Sequence, residues 1–433
     1  MIWLLNPPFE EMVFKEGRCE QKVGVFQTSY PPLTLAYLAS ILRKKFEVRL
    51  LDAIGEHRDL DYIKNLFEKD KPDIIFMSVS TPTIQSDLKI IEELSKIKES
   101  KFYIFGIHAS YFNERLTKKN IIAIKGEPEK VAFSLIGEKN DLSNLDDLPF
   151  PAWDLVNFKL YSVPLIRNKF ALMQPSRGCP FGCVFCTNPF FYNKKVRIRS
   201  VDSVIKEMKY VKSLGLNNVI FFSDTFTLYK DWVNELCNKM IEEKLNIKWV
   251  CNSRVDTVDR ETLFLMRKAG CWLMSFGIES GDQGILDGVK KQIKIEDIKR
   301  TVKDANDSGI LTFGHFILGL PGETKETLNK TIKFSRGLDL DFVMFYIATP
   351  LPGSEIYEGY KGKIEENWKN FEYSSQVLNK ELDLEEAQRK ALRGFYMNNL
   401  KPRKAVKLLR AVGYKNWFNV ALSGFGLLRS LRA

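Results

Sequence analysis

The sequence predicts an α/β protein built from two successive strand–helix series with a small helical region after them. Two observations predict it. Short β-branched apolar runs alternate with helix-period patterns from residue 1 to 145, and again from 170 to 355. Between the two series, Leu145-Asp-Asp-Leu-Pro-Phe-Pro-Ala-Trp-Asp154 carries prolines that block helix and strand continuation, so 146–169 reads as a linker. Residues 356–433 form the remaining region, with an acidic helix start at Asp383-Leu-Glu-Glu386.

In the first series, strands are expected at Ile2–Leu5, Glu47–Asp52, Ile74–Ser80, Phe102–Gly106 and Ile121–Lys125. Helices are expected at Pro32–Lys45, Leu60–Lys69 and Ile84–Lys96. Such alternation builds a parallel sheet covered on both faces, here a flavodoxin/Rossmann-like domain. Ligands on these sheets sit at the carboxyl ends of the strands. Those ends carry Asn6 and Pro8, then Ser80, Thr81 and Thr83, then Gly106 and His108, then Gly126 and Glu127. Small, hydroxylated and glycine residues let a large flat ligand lie against backbone. Cys19 lies in a long segment before Pro31 that could fold over such a cleft as a lid.

In the second series, strands are expected at 170–175, 218–223, 248–252, 272–277, 311–318 and 342–347. The helices between them are Ser200–Leu214, Tyr229–Glu243, Asp259–Ala269, Ile295–Ser308 and Glu323–Gly337, with Ser200 and Asp259 as N-caps. Six β/α units are too few to close an eight-fold ring. They suit a partial (β/α)6 barrel.

The chemistry concentrates in Arg177-Gly-Cys-Pro-Phe-Gly-Cys-Val-Phe-Cys186, where Cys179, Cys183 and Cys186 fall at the spacing C-x3-C-x2-C. Three thiolates on a short Gly- and Pro-bearing loop can hold a cubane iron–sulfur cluster and leave one iron open to another molecule. A zinc knuckle would need a fourth Cys or His nearby, and the nearest other thiol is Cys237.

With Phe185 before the last cysteine, this stretch resembles the radical S-adenosylmethionine (SAM) superfamily. The resemblance implies that SAM chelates the open iron of a [4Fe–4S] cluster, and that an electron from the cluster cleaves SAM to a 5′-deoxyadenosyl radical. It also implies SAM contacts at Phe185 and at the strand ends: Ser223 and Asp224, Asn252 and Arg254, Glu279 and Ser280, and Leu318 and Gly319. The usual glycines are missing around Ser223. The stretch before this core resembles the cobalamin-binding domain of the B12-dependent members. It matches in Asn6-Pro-Pro8, Pro31–Ala39, Gly106-Ile-His108 and Gly126-Glu-Pro-Glu129. The resemblance makes Asn6, Pro8, Ser80, Thr81, Thr83, Gly106, His108, Gly126 and Glu127 the cobalamin contacts. The motif D-x-H-x-x-G, which supplies a histidine to cobalt, is absent; His57 does not fit it and reads as an exposed loop residue. A base-off cobalamin without a lower histidine ligand is therefore implied.

The family implies methylation of an unactivated carbon, with radical cyclisation or rearrangement as the alternative. A low-potential donor such as flavodoxin or ferredoxin would supply electrons. A tRNA methylthiotransferase would need further N-terminal cysteines, and only Cys19 is there. A non-catalytic corrinoid sensor would not need the SAM-contacting strand ends.

The net charge of +11 does not mark a nucleic-acid binder. Lys401, Arg403, Lys404, Lys407, Arg410, Lys415, Arg429 and Arg432 supply eight of those charges within the last 33 residues, which hold no acid. The apolar run Trp417–Leu428 inside this basic tail is too short to span a bilayer, but suits peripheral contact with one, or packing on the barrel. Membrane contact would favour a lipid or isoprenoid substrate. Met1-Ile-Trp-Leu-Leu5 lacks the form of a signal peptide, and the seven cysteines form no disulfide framework, so a reducing cytoplasm is expected.

Overall fold

The computed structural model describes all residues except 12, 17–18, 23–29, 163–167, 373, 400–401, 414–416 and 419–433. The chain divides into two compact units. Met1–Tyr161, Cys186–Asn193 and Pro350–Glu372 form the first, and Ser162–Phe185, Lys194–Thr349 and Tyr373–Ala433 the second.

The first unit contains β1 (Ile2–Asn6), β2 (Val13–Glu16), β3 (Cys19–Lys22), β4 (Val48–Asp52), β5 (Ile74–Ser78), β6 (Lys101–Phe105) and β7 (Ile121–Ala123). β2 and β3 pair as an antiparallel hairpin. The others form one parallel sheet in the order β4-β1-β5-β6-β7. Without the hairpin that order is 2-1-3-4-5, the doubly wound arrangement whose strand order reverses beside β1. Trp3, Leu4, Leu5, Ile75, Phe76 and Met77 are fully buried, as a sheet covered on both faces requires. β5 ends at Ser78, short of the expected Ser80, and Thr81–Thr83 form a 3₁₀ turn. Pro82 has no N–H to continue the ladder.

The segment expected as a linker is packed as far as Tyr161. Its prolines break regular structure, yet Leu145, Leu148, Ala152, Trp153 and Tyr161 are buried. Ala152 N–H donates to Ala36 O at 2.9 Å, and the Tyr161 hydroxyl donates to the Asp52 carboxylate. Pro350–Glu372, expected at the end of the barrel and the start of the helical region, instead contributes Tyr357, Trp368 and Phe371 to the first unit's core.

The second unit contains β8 (Ala171–Met173), β9 (Ser176–Arg177), β10 (Arg197–Ile198), β11 (Asn218–Phe221), β12 (Lys248–Ser253), β13 (Cys271–Glu279), β14 (Leu311–Leu318) and β15 (Phe342–Ile347). β9 and β10 form a small antiparallel ribbon. Among the described residues, the other six make an open parallel sheet in chain order. Ser200 and Asp259 cap their helices by accepting from Ser203 N at 3.2 Å and Thr262 N at 2.9 Å. The helix Lys325–Gly337 is capped by Thr324, one residue after Glu323.

The outer edge of β15 is sealed by the helix Leu384–Asn398. The Tyr396 hydroxyl accepts from Val343 N at 3.3 Å and donates to Val343 O at 2.9 Å, and Gln388 Nε2 donates to Phe345 O at 2.6 Å. These side chains take over the ladder bonds that an edge strand leaves open. In the next helix, Pro402–Val412, Arg403 and Lys404 pair with Asp339 and Lys407 with Asp341, so part of the basic tail is used internally. Of Trp417–Leu428, only Trp417 and Phe418 are described, 61% and 58% exposed; the rest, with Lys401, Lys415, Arg429 and Arg432, lies outside the described residues. Among the described residues, no helix is long and apolar enough to cross a membrane.

Candidate active site

Parallel strands bring their carboxyl ends to one side of a sheet, so each unit collects its polar strand ends by topology. In the second unit the loop after β8 carries Cys179 and Cys183. The β9–β10 ribbon closes its base by pairing Arg177 with Arg197. Gly178, at φ +94°, could not be another residue, because a Cβ there would lie 1.9 Å from Lys195 O. Its N–H donates to Asp224 Oδ2 at 2.8 Å, tying this loop to the end of β11. Cys179 is buried, with Sγ 3.7 Å from Thr225 Oγ1. Burial pushes the Cys183 thiol up, opposed by the positive charges of Lys291 and Arg254. Cys186 Sγ accepts from Asn188 N at 3.4 Å and opens the segment that belongs to the first unit. Among the described residues, no three His, Cys, Asp or Glu side chains form a group that could hold a single metal ion.

The expected SAM contacts fall at the ends of β11 to β14, and the structure treats them unequally. Ser223 Oγ is buried without a hydrogen-bond partner among the described residues. Asn252 is half-buried near the end of β12. Arg254 already spends Nε and Nη2 on Asp256, at 2.9 and 2.8 Å, and Nη2 also reaches Lys291 O at 2.9 Å. Its guanidinium carbon stands 3.6 Å from the centre of the Phe181 ring. Ser280 is tied to Thr331 Oγ1 at 3.0 Å and accepts from Asp282 N at 3.1 Å. Leu318 is fully buried. Gly319, at φ +81°, has Leu384 packed where a Cβ would project, and it donates its N–H to Glu323. The Glu323 carboxylate is buried, with Oε1 unpartnered among the described residues, and burial pushes it up to about 7. Placed before the helix cap and bonded to Gly319, it acts as a bridge within the turn. His315 is half-buried, its Nδ1 3.0 Å from the Tyr346 hydroxyl.

Glu279 ends β13 at φ +66°, beside a register shift against β14. A non-glycine residue held there marks a site where surrounding contacts override backbone preference. The overriding contact is Lys291, whose Nζ lies 2.7 Å from Glu279 Oε1 with both side chains buried. Sequence reading missed Lys291, which sits in the charged run Lys290-Lys-Gln-Ile-Lys294 and looks solvated. The sequence shows no burial at Lys291 or at Glu279 twelve residues earlier, so it carried no signal for the pair.

In the first unit, Asn6 stands where the strand order reverses. Its Nδ2 donates to Asp52 Oδ1 at 2.7 Å and its Oδ1 accepts from Ser78 Oγ at 3.1 Å. Pro8, Ser80, Thr81 and Thr83 are buried, and Ser80 Oγ and Thr83 Oγ1 are 2.7 Å apart. Gly106 (φ +136°) starts the short helix Ile107–Tyr111, and Gly126 (φ +82°) has open space where a Cβ would project. Glu127 is buried, with Lys130 at 3.7 Å. His108 lies in an aromatic box, 4.8 Å from the Phe112 ring centre and 4.9 Å from that of Trp368. Among the described residues its buried Nδ1 has no partner, and burial pulls the imidazole down to about 3, so it is neutral. His57 is exposed, as expected.

These residues fit the groups that the sequence implies. A glycine-pinned thiol loop beside two buried cations suits an anionic cluster. The unpartnered Ser223 hydroxyl and the open approach at Gly126 suit bound polar cofactors.

Comparison with known proteins agrees. The radical SAM superfamily matches residues 173–335, and the B12-binding domain matches residues 22–134. An uncharacterized methyltransferase of Pyrococcus horikoshii, PH0819, is 30% identical, with 94% of each chain covered. The anaerobic magnesium-protoporphyrin IX monomethyl ester cyclase of Rubrivivax gelatinosus is 28% identical over 78% of this chain and 67% of its own. Among solved structures, the fold resembles the radical SAM methyltransferase TsrM of Kitasatospora setae, solved with cobalamin and a [4Fe–4S] cluster. The TM-score is 0.65 at 18% identity, covering 84% of this chain and 78% of that one. This chain belongs to the cobalamin-dependent radical SAM enzymes, a family whose cofactors are a [4Fe–4S] cluster, SAM and cobalamin.

Proposed function

We propose that this enzyme methylates an unactivated carbon of a small substrate. Cys179, Cys183 and Cys186 hold the cluster, the ends of β11 to β14 hold SAM, and the carboxyl end of the first unit's sheet holds cobalamin. The observation that carries the reading is the thiol loop itself, C-x3-C-x2-C closed by a two-strand ribbon and pinned at Gly178. When bound, the cluster and SAM supply a carbon radical and cobalamin supplies a methyl carrier.

The protein's share is to place and shield these groups. Ser223 offers a hydroxyl to SAM, and Glu279 and Asn252 offer acceptors for its amino group or ribose. Asn6, Ser80, Thr81, Thr83, Gly126 and Glu127 would flank cobalamin, Pro8 and Gly106 would admit it close to backbone, and His108, boxed by Phe112 and Trp368, would line the pocket. A flavodoxin or ferredoxin supplies the electrons.

The kinship to a tetrapyrrole cyclase supports a second reading, radical cyclisation. The basic tail supports peripheral membrane contact in the cytoplasm and a lipid or isoprenoid substrate. Failure to bind anionic liposomes at low salt would remove that part.

The test uses protein reconstituted without oxygen with iron, sulfide and cobalamin, then given SAM, a low-potential reductant and a cell lipid extract. 5′-Deoxyadenosine and S-adenosylhomocysteine are expected to rise together, and Cys183→Ala to form neither. Deoxyadenosine alone would select the cyclase reading. Neither product from loaded protein would end the methylation reading for substrates in that extract.

A further inference from the structure

Two cations are buried against the thiol loop, and each has its own carboxylate. Arg254 stands 3.6 Å from the centre of the Phe181 ring and is held by Asp256. Lys291 stands 6.0 Å from the centre of the Phe185 ring and is held by Glu279 at 2.7 Å. Phe181 and Phe185 flank Cys183, and Val184 N–H donates to Val289 O at 3.1 Å, so the loop backbone is fastened to the segment that carries Lys291. The side chains of Lys291 and Glu279 are only 7% and 8% exposed. A Cβ on Gly277 would meet both Glu279 Oε1, at 2.5 Å, and Lys291 Nζ, at 2.8 Å, so the pair folds over the one strand position without a side chain.

A buried ion pair is expensive and is weak evidence of added stability. Its partners do, however, act with opposite sign on any nearby charge, and little water screens them.

We propose that Lys291 and Glu279 are positioning residues that set the reduction potential of the cluster, Lys291 raising it and Glu279 lowering it. The inference rests on the reading of Cys179, Cys183 and Cys186 as the cluster ligands. Reduction adds one electron and hence one negative charge to the cluster; a one-electron donor of low potential is oxidised in exchange. A fixed cation nearby favours the reduced form and a fixed anion disfavours it, as cluster potentials generally follow local charge and burial.

The test is a redox titration without SAM or substrate, followed by the electron paramagnetic resonance signal of the reduced cluster. Wild type, Lys291→Gln, Glu279→Gln and Lys291→Arg are compared after iron and sulfide analysis. Lys291→Gln is expected to shift the potential down, Glu279→Gln to shift it up, and Lys291→Arg to stay near wild type. Shifts of the same sign in the two Gln variants, or no shift, would overturn the proposal, since loosened packing does not follow the sign of the charge. If Lys291→Gln fails to load, Glu279→Gln decides alone, because it removes charge and leaves the cation in place. A wild-type chain that binds no cluster would instead overturn the ligand reading, and this inference with it.

Discussion

Lys15 Nζ lies 2.9 Å from Asp87 Oδ1, and their side chains are 2% and 0% exposed. The contact fastens the β2–β3 hairpin to the first turn of the helix Ile84–Ile97, and Asp87 also accepts from Thr83 Oγ1 at 2.6 Å. Removing one partner leaves an uncompensated buried charge. Lys15→Met is therefore expected to destabilise the protein by about 3 kcal/mol, and Lys15→Met with Asp87→Leu by much less. Urea denaturation of the three proteins measures this; equal losses in the single and double variants would refute it.

The neighbouring Glu16 makes stability depend on pH. Its carboxylate accepts from Thr34 N at 3.1 Å and from Thr34 Oγ1 at 2.7 Å, beside Lys15 and with Glu129 and Asp52 adding negative charge. Burial pushes it up from 4.5 to about 7. The folded protein thus holds a proton that the unfolded chain releases. The contribution is fully present below about pH 4.5 and is lost as pH rises through about 7, amounting to roughly 3 kcal/mol. Melting temperature should fall between pH 5 and about 8 in wild type and fall less in Glu16→Gln. Equal slopes would count against it.

Gly178→Ala should leave the global fold formed and strip the thiol loop of its iron. The new Cβ meets Lys195 O, and the positive φ adds about 1–3 kcal/mol of strain. Iron content after anaerobic reconstitution is the readout. A fully loaded Ala variant would show that the loop does not need this turn.

Tyr396→Phe keeps the ring and removes the hydroxyl that serves both Val343 N–H and Val343 C=O. Leaving those groups unpaired should cost about 1–3 kcal/mol and increase aggregation on mild heating. Light scattering during a thermal ramp, beside the unfolding curve, would reveal whether either effect is absent.

The strands of both sheets were legible because parallel strands buried on two faces read as apolar runs. The caps at Ser200 and Asp259 were legible because capping is local. The cysteine loop was legible because its three thiols lie within eight residues. What escaped was partnership at a distance. Lys15, Glu16 and Lys291 look like solvated charges until Asp87, Thr34 and Glu279 are placed beside them. Nothing local to His108 announces Trp368, 260 residues later, against its ring. The prolines after Leu145 announced irregular backbone, and irregular backbone says little about burial: Trp153 lies in the core.

The first unit is assembled from three separate pieces of chain, and the last, Pro350–Glu372, follows every strand of the second unit's sheet. On the ribosome, the earliest residues therefore wait for some of the latest before their core is complete. Tyr111 and Phe112 lack Tyr357 and Trp368 until then. A fragment cut at residue 145 or 169 omits these rings, so the two units are poor candidates for separate expression. Proteolysis inside Pro350–Glu372 would instead open the first unit's core from a cut made far along the chain.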